Sequence, residues 1–227
     1  MARIDMPFRQ NRFIMLGLIH RDREVGPLLS RWMDAWEPAV VTLELSPYGC
    51  AFRKSKGFEL KKRVHGAVEE LRAQGRRIDS RALDDVLAYI DLPPELMVAA
   101  DFSERRGIPL HLIDMDLYSR SRLRHIDKLV SRENLSYLLC GADVRGTDQE
   151  KALARLFFEL GVKLFPYTEE MAVRDTHMRD TIAGLMKLHH ASRLLHICGW
   201  QHLADLRCLY ASLNPTKVFI HDETLRL

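Results

Sequence analysis

The chain has 227 residues, 47% of them hydrophobic and 29% charged, with a formal net charge of +3. That balance is too apolar for disorder, no run approaches the roughly 20 apolar residues of a membrane helix, and the basic clusters lack the interleaved aromatics of a nucleic-acid surface. Neither nucleic acid nor a membrane segment is therefore expected, and one α/β domain over residues 1–227 is the expected organisation. Residues 1–12 are polar and basic and lack the apolar stretch of a secretory signal, which makes a cytoplasmic location the expectation. Cys50, Cys140, Cys198 and Cys208 show no CxxC spacing and read as small buried hydrophobes of a reducing compartment. The sequence does not set the oligomeric state, and a homo-oligomer is compatible with it.

In chain order, Phe13 to Leu18 is a short continuous apolar run, as expected of a strand covered on both faces, and it ends at His20. A helix is predicted from Val25 to Trp36, closed by Pro38. Ala39 to Leu43 then reads as a second buried strand ending at Glu44. An amphipathic helix over Phe58 to Gln74 stops at Gly75, and two more follow at Ser80 to Ile90 and, after Pro93-Pro94, at Glu95 to Arg106. Gly107 is a helix stop, and a third strand, Ile108 to Ile113, runs into Asp114-Met115-Asp116. Arg120 to Lys187 is predicted mainly helical, with loops at Gly141 to Thr147 and at Pro166. A fourth strand, Arg193 to Cys198, enters Gly199-Trp200-Gln201-His202, followed by a short helix over Leu203 to Leu213 and a last strand at Lys217 to Ile220. Crossovers longer than a dozen residues imply a mainly parallel sheet of four to five strands flanked by many helices.

Ligands of open parallel sheets sit beyond the carboxyl ends of the strands, so the strand endings carry the functional expectation. Here they are His20, Glu44, Asp114 to Asp116 and His202. Imidazole and carboxylate bind divalent ions that activate water, and without a metal they serve as general base and orienting partner. Gly17 and Gly199 each stand three residues before a histidine, forming two GxxH tetrapeptides in which a missing side chain lets a substrate or another backbone approach. The alternative for each tetrapeptide is a packing glycine and a satisfied rim histidine. Glu170, Arg174 and His177 share one helix face by their i, i+4, i+7 spacing. Arg174 either clamps an anionic group or pairs within its helix with Glu170.

The other histidines are expected to be structural: His65, His125, His189, His190 and His221 at surfaces or helix ends, His111 and His196 buried and hydrogen-bonded in strands. Cys198 lies four residues before His202, but an apolar strand raises a thiol pKa, which argues against a nucleophile. Ser46 lacks a nucleophile-elbow context, and no GxSxG occurs.

Taken in order, Gly17-Leu18-Ile19-His20, Val41 to Leu45, Ile108 to Asp116, Glu170 to Ile182 and Gly199-Trp200-Gln201-His202 resemble the blocks of the TraB/Tiki family, from residue 13 to about 220. The wider group includes erythromycin esterases and the haem-binding ChaN-like proteins. The resemblance implies an α/β fold whose site is lined by His20, His202 and Glu44, with Arg174 as the family's helix arginine. It also implies divalent-metal-dependent proteolysis, as in Tiki proteins, or sequestration of a peptide, as in pheromone-shutdown members. The chain departs from the pattern at Ser46, where the family often has Asp, and at Val173-Arg174-Asp175, where it often has Glu-Arg-Asn.

The leading expectation is a metal-assisted hydrolase of a peptide, amide or ester bond. His20, Glu44 and His202 would hold manganese, cobalt or zinc, and Arg174 would stabilise negative charge. Gly17, Gly199, Glu170 and His177 are expected to border a peptide or small-molecule substrate, and Asp114 or Asp116 to orient a histidine. The alternative is a pocket that binds a peptide or haem without turnover.

Overall fold

Six consecutive buried residues, Phe13–Leu18, form β1, an interior strand of the sheet. The computed structural model describes residues 11–20, 22, 24–140, 147–160, 166–190 and 193–221. Helix α1 (Val25–Trp36) buries Val25, Leu29, Trp32, Met33 and Trp36, a helical stripe, and ends where Glu37 turns left-handed at φ 51°. Strand β2 (Val40–Leu43) follows, buried throughout.

Helix α2 (Pro47–Ala73) begins eleven residues before the predicted Phe58. Pro47 occupies the first turn, where its missing N–H costs nothing, and the Ser46 hydroxyl accepts the Gly49 N–H at 2.9 Å as cap. Phe58, where the amphipathic pattern begins, is 82% exposed. Helices α3 (Ser80–Ile90) and α4 (Pro94–Arg106) fall where expected, α4 closing on Gly107 at φ 63°. Strand β3 is short, Leu110–Leu112.

Helices α5 (Asp116–Leu123), α6 (Ile126–Leu129), α7 (Arg132–Cys140), α8 (Thr147–Leu160) and α9 (Glu169–Leu188) fill the predicted helical region, and the Thr168 hydroxyl caps α9 through the Met171 N–H. Most of the predicted loop from Gly141 to Thr147 lies outside the described residues. After strand β4 (Leu194–Gly199) the predicted helix over Leu203 to Leu213 is replaced by a one-turn helix, α10 (Trp200–Leu203), turns, and a 3-10 turn at Ala211–Leu213. The helix is broken where Asp205 and Cys208 take positive φ and the Asp205 carboxylate accepts the Leu209 and Tyr210 N–H groups. Strand β5 (Thr216–Phe219) completes the sheet.

All five strands are parallel, in the order β3-β2-β4-β1-β5. Because β4 inserts between β1 and β2, the carboxyl ends of strands from opposite ends of the sequence become neighbours. Ile14, Leu16, Leu18, Val41, Leu43, Leu195 and Ile197 pack against α1 and α4, whereas Phe13, Met15, Val40, Leu194 and Cys198 face residues of α8, α9 and α10. A third apolar cluster is built by α2, α3 and α5 to α7 away from the sheet. Among the described residues, no helix is long and apolar enough to cross a membrane.

Candidate functional site

The strand endings converge on Glu44. One residue beyond β2, its carboxylate takes donors from three elements: Arg174 Nη2 on Oε1 at 2.5 Å, His202 Nε2 on Oε1 at 2.9 Å, and the Gly199 N–H on Oε2 at 2.8 Å. His20 Nε2 lies 3.8 Å from Oε2, too far for a hydrogen bond. The two histidines are fixed from opposite faces of the sheet. His20 Nδ1 lies 2.8 Å from Glu95 Oε1 of α4, and His202 Nδ1 lies 2.5 Å from Asp175 Oδ1 of α9. Each imidazole thus has one nitrogen held by a carboxylate and the other turned toward the shared Glu44.

These contacts set the charge of the cluster. Burial penalises a protonated His20, but its contacts with Glu44 and Glu95 outweigh that and raise its pKa to about 10. His202 follows the same logic with Glu44 and Asp175 and rises to about 9. Burial would raise the Glu44 carboxyl, yet the positive His202 and Arg174 hold it well below its ordinary value. The surrounding carboxylates therefore favour the protonated form of both imidazoles. The His20 side chain is 41% exposed, so water screens its pairs, while those of His202 and Glu44 are 4% and 5% exposed and feel the full field.

Arg174 is buried and donates to Asp114 through Nε and Nη2, both at 2.9 Å, in addition to Glu44. It is thus paired with Asp114 and Glu44 and not, within α9, with Glu170, and it stands in the wall of the pocket. Glu170 bonds Arg122 of α5 across the pocket rim at 2.5 Å. His177, expected on the same face, is exposed and stands away from the pocket, because the buried face of α9 runs through Ala172, Arg174, Asp175, Met178 and Ile182. Asp114 orients Arg174, not a histidine. Asp116 accepts the Tyr48 N–H at 2.8 Å and ties α5 to the start of α2, outside the pocket lining. The carboxylates that do orient the histidines, Glu95 and Asp175, were missed. Asp175 was visible only as a departure from the family pattern, and Glu95 only as a first-turn acid after Pro94.

The two GxxH glycines differ in role. In the sheet register Gly17 pairs with Cys198 and Gly199 with Leu18, so the tetrapeptides are offset and their glycines face opposite sides. A Cβ on Gly17 would lie 2.4 Å from Leu203 Cδ1 and 3.0 Å from the Trp200 Cα; that glycine admits α10, not a substrate. A Cβ on Gly199 would lie 2.9 Å from His20 Nε2, so the absence of a side chain there gives the imidazole its place.

A cavity of about 510 Å³ opens over this cluster, with His20, Glu44, Glu95, Arg174 and His202 in its wall. Its lining includes Tyr89 of α3, Arg122 of α5, Glu150 of α8, and Pro166, Thr168 and Glu170 around the start of α9. Trp200 Nε1 donates to Glu150 at 3.2 Å and ties α8 to the site.

His196 is fully buried, with Nδ1 3.0 Å from Thr42 Oγ1, and burial pushes its pKa down to about 4. Burial likewise drives the Cys198 thiol well up, in keeping with an inert cysteine. His111 is only partly buried, and its Nε2 has no hydrogen-bond partner. His221 is not a surface residue: its side chain is 5% exposed, and it lies 3.4 Å from Asp22.

For a divalent ion, His20 Nε2, His202 Nε2 and Glu44 are donors of the right kind, and each imidazole carries the Nδ1 carboxylate that typically orients a metal-binding histidine. They do not stand ready to close on an ion. Among the described residues the donor atoms lying mutually within 4.8 Å are those of Asp22, Glu24 and His221, where the Lys151 ammonium already sits 2.8 Å and 2.7 Å from the two carboxylates. Scans against family models, curated proteins and solved structures find no match to this chain.

Proposed function

We propose that this protein hydrolyses a peptide, amide or ester bond in the pocket at the carboxyl end of its sheet, with His20, His202 and Glu44 as the working groups and a divalent ion as the water activator. The reading rests on one observation: two imidazoles, each held at Nδ1 by its own carboxylate, turn their Nε2 atoms toward one shared glutamate beside a cavity. Such orientation of both rings is costly to build and suits reacting or ligating nitrogens.

His20 Nε2, His202 Nε2 and the Glu44 carboxylate would hold the ion, which when bound lowers the pKa of water toward neutrality and polarises a carbonyl. Glu95 and Asp175 keep the rings turned, and Arg174, braced by Asp114, holds Glu44 in place. His20, more exposed than His202, would be the ligand that faces the incoming substrate.

The saturation of Glu44 by Arg174, His202 and the Gly199 N–H favours a second reading, binding of a peptide or haem without turnover, since the cluster is satisfied without a reactant. Manganese, cobalt and zinc added to the chelator-treated protein distinguish the two. Near-stoichiometric binding that is lost in both His20→Ala and His202→Ala, with hydrolysis of a panel of peptides and esters, is the expected result. No binding of any of the three, with a haem Soret band that vanishes in the same variants, overturns the hydrolase in favour of the binding module.

A further inference from the structure

Asp175 is fully buried, and both of its oxygens are taken: Oδ1 receives His202 Nδ1 and the Tyr210 hydroxyl at 3.1 Å, and Oδ2 receives the Tyr167 hydroxyl at 2.7 Å. We propose that Tyr167 and Tyr210 are positioning residues that lock the Asp175 carboxylate, and through it the ring of His202, and that Tyr167 ties this lock to the rim of the pocket. The proposal rests on the reading of His202 as a working group, but not on the identity of the reaction.

A carboxylate held by one partner turns about its terminal torsion, which is broad and lightly restrained. Three donors on two oxygens remove that freedom, and the plane of the carboxylate then fixes the direction of the His202 Nδ1–H and, across the ring, the line of Nε2 toward Glu44. Both tyrosines are themselves built in. Tyr210 is fully buried, its ring stacks on His196 with centroids 6.4 Å apart, and the Asp205 carboxylate fixes its backbone N–H. That local construction also explains the broken helix after α10, because a continuous helix through Tyr210 would not have the positive φ angles at Asp205 and Cys208 that shape this turn.

Tyr167 connects the interior to the surface. It sits between Pro166 and Thr168, both in the pocket wall, and the Thr168 hydroxyl caps α9, which carries Asp175. The Arg207 guanidinium lies 5.8 Å from the Tyr167 ring centre and pairs with Glu169 through two hydrogen bonds, bracing the segment from outside. A ligand that presses on Pro166 or Thr168 therefore moves the residue whose hydroxyl holds the carboxylate behind His202. The two ends are the pocket rim and the imidazole, and the link is two hydrogen bonds long.

The test uses the full chain labelled with nitrogen-15 at histidine. The His202 Nδ1–H resonance is assigned by its loss in His202→Gln, then followed in Tyr167→Phe and Tyr210→Phe, which keep the rings and delete one hydroxyl each. Expected is a displaced resonance and faster solvent exchange of that proton in both variants, with circular dichroism and melting temperature close to wild type. In zinc titrations the same variants are expected to bind about tenfold more weakly, as loss of an outer partner of a histidine ligand typically does. An unmoved resonance in both variants overturns the lock. A shift in Tyr210→Phe alone overturns the link to the rim. Should Tyr210→Phe fail to fold, Tyr167→Phe, at the half-buried end, decides the matter. Absence of zinc binding in the wild type counts against the metal-assisted reading above and leaves the resonance test standing.

Discussion

Removing Arg174 exposes what its positive charge does for the cluster. The side chain is 9% exposed and satisfies two carboxylates, Glu44 through one bond and Asp114 through two. Arg174→Met keeps most of the volume and leaves both carboxylates without their guanidinium in a low-dielectric site. Breaking a buried pair from one side costs about 3–5 kcal/mol, and Glu44's remaining donors, His202 and the Gly199 N–H, place the expected loss near the lower end, about 3 kcal/mol. For a chain of 227 residues each kcal/mol lowers the melting temperature by about 2 °C, so the variant is expected to melt about 6 °C below wild type at pH 7. The sign with pH is set by Glu44, whose pKa is held well below its ordinary value of 4.5. Its ionised form contributes stability that is fully present above the unfolded pKa and lost as pH falls through the folded one. The gap between variant and wild type is therefore expected to narrow below about pH 4.5, where the orphaned carboxylates of the variant take up protons. Thermal unfolding followed by circular dichroism at pH 7 and pH 4 reads both quantities. A melting temperature within about 1 °C of wild type at pH 7 would refute the reasoning, as would a gap that widens in acid.

Three further outcomes rest on the same geometry. Gly17→Ala, whose Cβ would meet Leu203 and the Trp200 backbone of α10, is expected to cost about 1–3 kcal/mol in urea unfolding, and a cost below about 0.5 kcal/mol would contradict that close approach. Gly199→Ala, whose Cβ would meet His20 Nε2, is expected to impair zinc binding by at least about tenfold, and binding within about twofold of wild type would contradict the contact with His20. His196, buried with its pKa pushed down to about 4, makes the unfolded chain the better proton binder as pH falls from 6.5, so wild type should lose about 1.5 kcal/mol from this group between about pH 6.5 and about pH 5. His196→Leu is expected to flatten that slope in urea titrations at the two pH values, and an unchanged slope would show that the ring already carries its proton in the folded state.

The strands and their endings were legible because a strand covered on both faces must be a continuous apolar run, and a parallel sheet exposes the residues just beyond each run. Phe13–Leu18, Val40–Leu43 and Leu194–Gly199 satisfy that pattern, and His20, Glu44 and His202 stand in one cluster as their positions after those strands suggested. The start of α2 was not legible, since its first three turns show no apolar stripe and Pro47 reads equally as a breaker and as a helix-opening residue. The helix-face reading of Glu170, Arg174 and His177 placed the first two in the pocket wall but not His177, for a related reason. Spacing places residues on a face but does not say how much of that face is covered, and α9 buries the stripe carrying Arg174 and Asp175 while leaving His177 in solvent.

The sequence by itself determined which residue types stand at the strand ends, because hydrophobic periodicity and strand length are local properties of the chain. Only the tertiary structure decided their partners. The insertion of β4 between β1 and β2 brings residue 202 beside residue 44, and the packing of α4 and α9 on opposite sheet faces delivers Glu95 to His20 and Asp175 to His202. Together with the Gly199 N–H on Glu44, these contacts span sequence separations of 158, 75, 27 and, for Gly199, 155 residues. No local pattern encodes such pairings, since they depend on which faces of distant elements bury apolar surface against each other.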